Sequence, residues 1–211
     1  MKESVKKPFI IFVILGILIF FVFILGFNGP KSYNGTDQGI YFEYPQGWEQ
    51  ASVENVTLLP NENYNFLSDE NKLKSGGQLV LLKGPNNAEF YVIKENRSYS
   101  DVYNAKSQWE KDLDINNSAG AIDNPYRTKD WIRGIKSASS SPWGPNNGVM
   151  NGINMTGFSY IPAGEKNPTF LIVFVEKAPG EYYRLVGKVG QGDSKKTMNT
   201  FENIITSFRF Q

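Results

Sequence analysis

The densest run of oxygen-bearing side chains is Asp112-x-Asp114-x-Asn116, with Asp123 at the twelfth position counted from Asp112. Oxygens at alternate positions are what a loop needs to wrap a hard cation such as Ca²⁺ in six to eight ligands. Ser118 and Gly120 fall at the seventh and ninth positions, but the sixth is Asn117, where calcium loops turn on glycine. The same run also reads as the Asn-rich end of a helix that carries Leu113 into the core. Calcium stays a candidate with ligands Asp112, Asp114, Asn116 and Asp123, and no cofactor is assigned. A second candidate, Gly187-x-x-Gly190-x-Gly192, lies between a strand and a helix, where backbone N–H groups could cradle phosphate. Its order departs from G-x-G-x-x-G and no Gly-Lys-Ser/Thr follows, so a flexible turn before an Asp N-cap explains it as well. A third is the loop Ser139 to Gly148, with Pro142, Trp143, Asn146 and Asn147 as a binding tip. A tryptophan offers contact area at low entropic cost. It could equally fold back as a lid on the sheet, and both readings stay open.

Other chemistries are excluded outright. The 211 residues include no histidine and no cysteine. That removes the Ser-His-Asp triad, histidine-ligated zinc, a histidine base, disulfides and thiolate nucleophiles. Carboxylates such as Asp112 and Asp114 could do acid–base work, but no nucleophile or second catalytic group is spaced with them. The net charge of +1 argues against nucleic acid as a partner.

The elements that would position these residues follow from the hydrophobic pattern. Phe9 to Phe27 is 19 residues without a polar side chain, long enough to cross a bilayer as a helix. Lys2, Lys6 and Lys7 precede it, which places residues 1–8 in the cytoplasm and everything after Phe27 outside. The run exceeds a signal-peptide core and lacks a small-x-small cleavage site, so it reads as a retained single-pass anchor. Residues 28–38 are polar and read as a linker, and 39–211 as the exported domain. Five N-x-S/T sequons, at Asn34, Asn55, Asn96, Asn116 and Asn154, are possible glycan sites there.

Within the domain, period-two alternation predicts strands at Ile40 to Tyr44, Ala51 to Leu59, Gln78 to Leu82, Phe90 to Ile93, Trp131 to Ile135, Ile153 to Tyr160, Thr169 to Val175 and Tyr182 to Val189. Gly84-Pro85-Asn86-Asn87 and Ala178-Pro179-Gly180-Glu181 are turn signals between pairs of them. Asp101 and Asp193 are N-cap residues ahead of helical periodicity. The first helix carries Val102, Ala105, Trp109 and Leu113, and the second Met198, Phe201, Ile204, Ile205 and Phe208. The expected class is α+β, an antiparallel sheet flanked by helices. Tyr182, Tyr183, Phe170 and Phe174 read as sheet core before they read as a binding groove.

Two end motifs carry a resemblance. Gly39-Ile40-Tyr41-Phe42-Glu43-Tyr44-Pro45-Gln46-Gly47-Trp48 opens the domain and Phe201-Glu202-Asn203-Ile204-Ile205-Thr206-Ser207-Phe208 closes it. This frame, covering about Thr36 to Phe208, resembles the PsbP-like family, named for the extrinsic P subunit of photosystem II and similar to domains of membrane-anchored archaeal surface proteins. The resemblance implies an α/β/α sandwich and a non-enzymatic accessory role, with no catalytic residue to carry over. The sequence thus points to a membrane-anchored extracytoplasmic module, bound to the membrane through Phe9–Phe27 and contacting a membrane or cell-surface protein. The alternatives are a carboxylate-dependent surface hydrolase and a small-ligand binder.

Overall fold

The computed structural model describes residues 29–53, 73–113, 126–130, 147–150, 152–162 and 169–211. Eleven strands and two α-helices are placed among them: β1 Lys31–Gly35, β2 Ile40–Tyr44, β3 Glu49–Ala51, β4 Gly77–Lys83, β5 Glu89–Lys94, α1 Val102–Asp112, β6 Tyr126–Asp130, β7 Asn147–Met150, β8 Ile153–Pro162, β9 Phe170–Ala178, β10 Glu181–Lys188, α2 Ser194–Ser207 and β11 Arg209–Phe210. Every strand pair is antiparallel.

The expectation of one sheet is corrected to two. Eight strands form the main sheet in the order β3-β4-β5-β10-β9-β8-β6, with β7 also on β8, and β1-β2-β11 form a small one. The reading of residues 28–38 as a linker is corrected as well, because Lys31 to Gly35 pair with Tyr44 to Ile40 in the small sheet. Tyr33 and Gly35 face inward on alternate positions, which is the physical reason a polar stretch still makes a strand. Asn147, expected in the aromatic-tipped loop, instead opens β7 opposite Thr156.

The chain sorts its side chains by parity. On β5, Phe90 and Val92 enter one core while Tyr91 and Ile93 enter the other. On β9, Leu171, Val173 and Val175 go to the first, and Phe170, Ile172 and Phe174 to the second. Residues Phe170 to Val175 are all buried, as a strand covered on both faces must be. The first core is closed by the small sheet and α2, the second by α1. Both helices start as their sequences require: Asp101 Oδ1 accepts from Asn104 N–H at 2.7 Å, and Asp193 Oδ1 from Lys196 N–H at 3.1 Å.

The α2 side is a lattice of rings. Phe201 lies 6.0 Å from Phe90 and 5.9 Å from Trp48, and Phe42 lies 6.1 Å from Phe90 and 6.2 Å from Phe208. Ile40, Phe42, Trp48, Ile204, Ile205 and Phe208, the structural residues of the two end motifs, are all buried there.

Candidate functional site

Of the residues singled out for calcium, Asp112 is placed and Asp114, Asn116 and Asp123 lie outside the described residues. The Asp112 carboxylate is engaged by the Arg97 guanidinium, so its charge already has a partner. Pro142, Trp143 and Asn146 also lie outside the described residues. In the second candidate, Gly187 and Gly190 are packing devices. Phe201 lies against Gly187, and Gly190 sits on the backbone of Asn86 to Ala88. Gln191 N–H donates to the Asn86 carbonyl at 2.8 Å, closing the loop onto the β4–β5 turn. Asn86 and Asn87 hold that turn with φ of 57° and 63°, a region asparagine tolerates. Tyr182, Tyr183, Phe170 and Phe174 are buried core residues.

A charged cluster beneath α1 escaped the sequence reading. Arg184 sits mid-strand on β10 with 1% of its side chain exposed, and its Nη1 lies 2.6 Å from Glu95 Oε1, itself 3% exposed. Glu95 follows β5, where its N–H donates to the Tyr182 carbonyl. Its other oxygen accepts from the Tyr99 hydroxyl at 2.7 Å and from Trp109 Nε1 at 3.3 Å. Arg184 Nη2 donates to the Ser75 carbonyl. Two guanidiniums lie over the Trp109 ring, Arg184 at 3.8 Å and Arg97 at 4.6 Å from its centroid. Arg97 in turn reaches Asp112 at the end of α1. Burial, then the Glu95 charge and hydrogen bond, push the Tyr99 hydroxyl well above its ordinary value of 10, so it stays a donor.

This arrangement fastens α1 to the sheet through Trp109, with Arg184 and Glu95 almost fully buried beneath it. The signal was present in the sequence: Tyr182, Arg184 and Val186 share one face of a strand that is otherwise apolar, so Arg184 had to be buried. Its partner, 89 positions earlier, was not readable from spacing.

An open cleft among the described residues lies on the opposite side of the sheet. A cleft of 360 Å³ is lined by Pro30, Glu43, Pro45, Gln46, Asn203 and Ile204, together with Tyr44. The chain enters the domain here. Gln46 Nε2 donates to the Gly29 carbonyl at 2.7 Å, and Lys31 Nζ to the Trp48 carbonyl at 3.0 Å. The upper edge of β2, which β11 leaves unpaired, is closed by a side chain: Glu43 N–H donates to Ser207 Oγ at 2.8 Å, and that hydroxyl donates to the Ile204 carbonyl at 2.8 Å. Glu43 also accepts from the Tyr41 hydroxyl at 3.0 Å. The cleft therefore offers a hydrogen-bonded backbone, apolar side chains from Pro30, Pro45 and Ile204, and the polar side chains of Glu43, Gln46 and Asn203. Its described lining residues include a single carboxylate, Glu43. No group of three or more histidine, cysteine, aspartate or glutamate side chains placed to hold a metal occurs among the described residues.

No protein-family model matches the chain, and no curated protein matches it. Solved structures to which the chain is similar include cyanobacterial PsbP (CyanoP) from Synechocystis sp. PCC 6803, at 11% identity and a TM-score of 0.49 over 87% of this chain and 94% of that one. The Saccharomyces cerevisiae Ran-binding protein Mog1p is similar at 9% identity and a TM-score of 0.44, over 87% of this chain and 96% of that one. A Bacteroides thetaiotaomicron protein follows at 13% identity and a TM-score of 0.37, over 86% of this chain and 48% of that one.

Proposed function

We propose that this protein is a membrane-anchored extracytoplasmic module that works by contact, with a segment of a membrane or cell-surface protein seated in the cleft beside the chain entry. The observation that carries the non-catalytic part is the employment of the carboxylates. Glu95 is locked to Arg184, Asp112 to Arg97, Glu89 to Lys74 and Glu181 to Lys94, while Asp101 and Asp193 cap helices. Glu43 remains as the carboxylate in the cleft, alone of its kind among the lining residues. Contact through Pro30, Pro45, Gln46 and Asn203 needs no such group.

The anchor is Phe9–Phe27, with the N-terminus cytoplasmic. A photo-crosslinking side chain in place of Gln46 or Asn203, activated in intact membranes, tests the reading. The expected result is a discrete adduct from position 46 that disappears when Asn203, an exposed residue lining the same cleft, is changed to Arg. A smear no different from that of a photo-crosslinker placed at Tyr103, on the other side of the domain, overturns it.

A further inference from the structure

We infer that one end of the domain lies against the anionic headgroups of the membrane that its own N-terminal segment enters; the inference rests on the anchor reading above. The apolar run ends at Phe27 and β1 begins at Lys31, so three residues intervene. Fully extended they reach about 10 Å, roughly the depth of a headgroup layer. The usable slack is shorter still, because Gln46 holds the Gly29 carbonyl to the domain.

What surrounds that entry point follows from the register. Lys31 Nζ is bonded to Trp48, Trp48 packs on Gly84, and Glu49 stands opposite Lys83. Lys83 in turn pairs with Glu89, and Glu89 with Lys188, so the chain entry and one end of the main sheet coincide. The β4–β5 turn, Pro85 to Asn87, projects from this end and holds the loop leading into α2 through Gln191. Lys195 and Lys196 follow, both exposed, as Lys83 is.

Lysines outnumber carboxylates here among the described residues: Lys31, Lys74, Lys83, Lys188, Lys195 and Lys196 against Glu43, Glu49, Glu89 and Asp193. Glu89 is already held by Lys74 and Lys188. The opposite end, at the β9–β10 turn, carries Glu176, Glu181 and Asp101 against Lys94 and Lys177. Lys195 and Lys196 also sit in the first turn of α2, where positive charge opposes the helix dipole, so the helix itself gives no reason for them. An anionic surface gives one. A lysine near such a surface favours apposition about fivefold, and the effect fades with salt within a Debye length.

The test uses the full chain in liposomes. Because the protein has no cysteine, Pro85→Cys and Pro179→Cys each take one fluorophore, at the two opposite ends. Headgroup-attached spin labels serve as quenchers. With anionic lipid, quenching at position 85 is expected to exceed that at 179 several-fold. The contrast should shrink in zwitterionic lipid, in high salt, and in the triple variant Lys83→Glu, Lys195→Glu, Lys196→Glu. Equal quenching at both labels, in protein that resists alkaline extraction, overturns this inference and leaves the anchor standing. A contrast indifferent to lipid charge, salt and the triple variant overturns the headgroup contact. Release by alkaline carbonate overturns the anchor, and this inference with it.

Discussion

On the α2 side of the main sheet, Phe42, Phe90, Phe201 and Phe208 meet ring to ring, and on the α1 side the sheet presents Arg184 and Glu95 beneath the indole of Trp109. The first contact is held by apolar area and ring geometry, neither of which fixes a unique register. The second has an apolar core of its own, with Val102, Ala105 and Leu113 against Phe158, Ile172 and Phe174, and adds charges that tolerate one arrangement, since an unpaired buried ion costs several kcal/mol. The difference teaches that helix docking can be made strong by burial and singular by a polar fastening, and this domain adds the fastening on one face.

The largest expected break is Arg184→Ala. It leaves the Glu95 carboxylate buried with its ion partner gone and should cost about 3–5 kcal/mol in denaturant unfolding. The double variant Arg184→Met with Glu95→Leu should recover most of that loss, because an apolar pair of similar volume carries no desolvation penalty. A double variant as unstable as the single one would mean that the ion pair itself supplies net stability. Tyr99→Phe, which deletes a 2.7 Å hydrogen bond to that carboxylate, should cost about 2 kcal/mol by the same measurement.

On the other face, Gly187→Ala drives a methyl into the Phe201 ring and should cost about 1–3 kcal/mol, relieved in part by Phe201→Leu. No relief should follow when Phe201→Leu is combined with Tyr99→Phe, since those two act on opposite faces. Asp193→Ala removes the α2 cap and should lower stability by about 1 kcal/mol, seen as a lower Tm.

The smallest effect is on pH. Burial alone would raise the Glu89 carboxyl, but hydrogen bonds from Lys74 and Tyr91 and the charges of Lys74 and Lys188 outweigh it and hold it below its ordinary 4.5. Its stabilising contribution is therefore complete above pH 4.5 and is lost as the pH falls through the lowered folded value. Its neighbour Tyr91 is pushed from 10 to about 12, chiefly by burial. The folded state favours the neutral phenol, so that contribution is complete below pH 10 and is lost as the pH rises toward 12. Chemical denaturation at graded pH, with tyrosinate absorbance on the alkaline side, should show both edges, and Lys74→Met should flatten the acid one.

Much of the frame was legible. Asp101 and Asp193 mark both helix starts because a short oxygen-bearing side chain ahead of apolar 3.6-periodicity has few other uses. The β4–β5 and β9–β10 hairpins announce themselves through Gly84 to Asn87 and Ala178 to Glu181. The second sheet was hidden because β1 is polar on its outer face and β11 is two residues long, too little for a period to register. The cleft was hidden for a related reason: Pro30 and Gln46 meet Asn203 and Ile204 only after the last helix has docked.

Residue types and local spacing determined the absence of histidine and cysteine chemistry, the α+β class, the caps and turns, and which positions are apolar. These depend on the local conformational preferences of the chain and on the period with which side chains alternate. The tertiary structure alone decided that Arg184 is matched by Glu95 and roofed by Trp109, that the strands divide between two sheets, and that Lys31, Lys83 and Lys195 share one end of the molecule. Those are pairings between residues far apart in sequence, and no local preference encodes which distant partner a strand or a charge will meet.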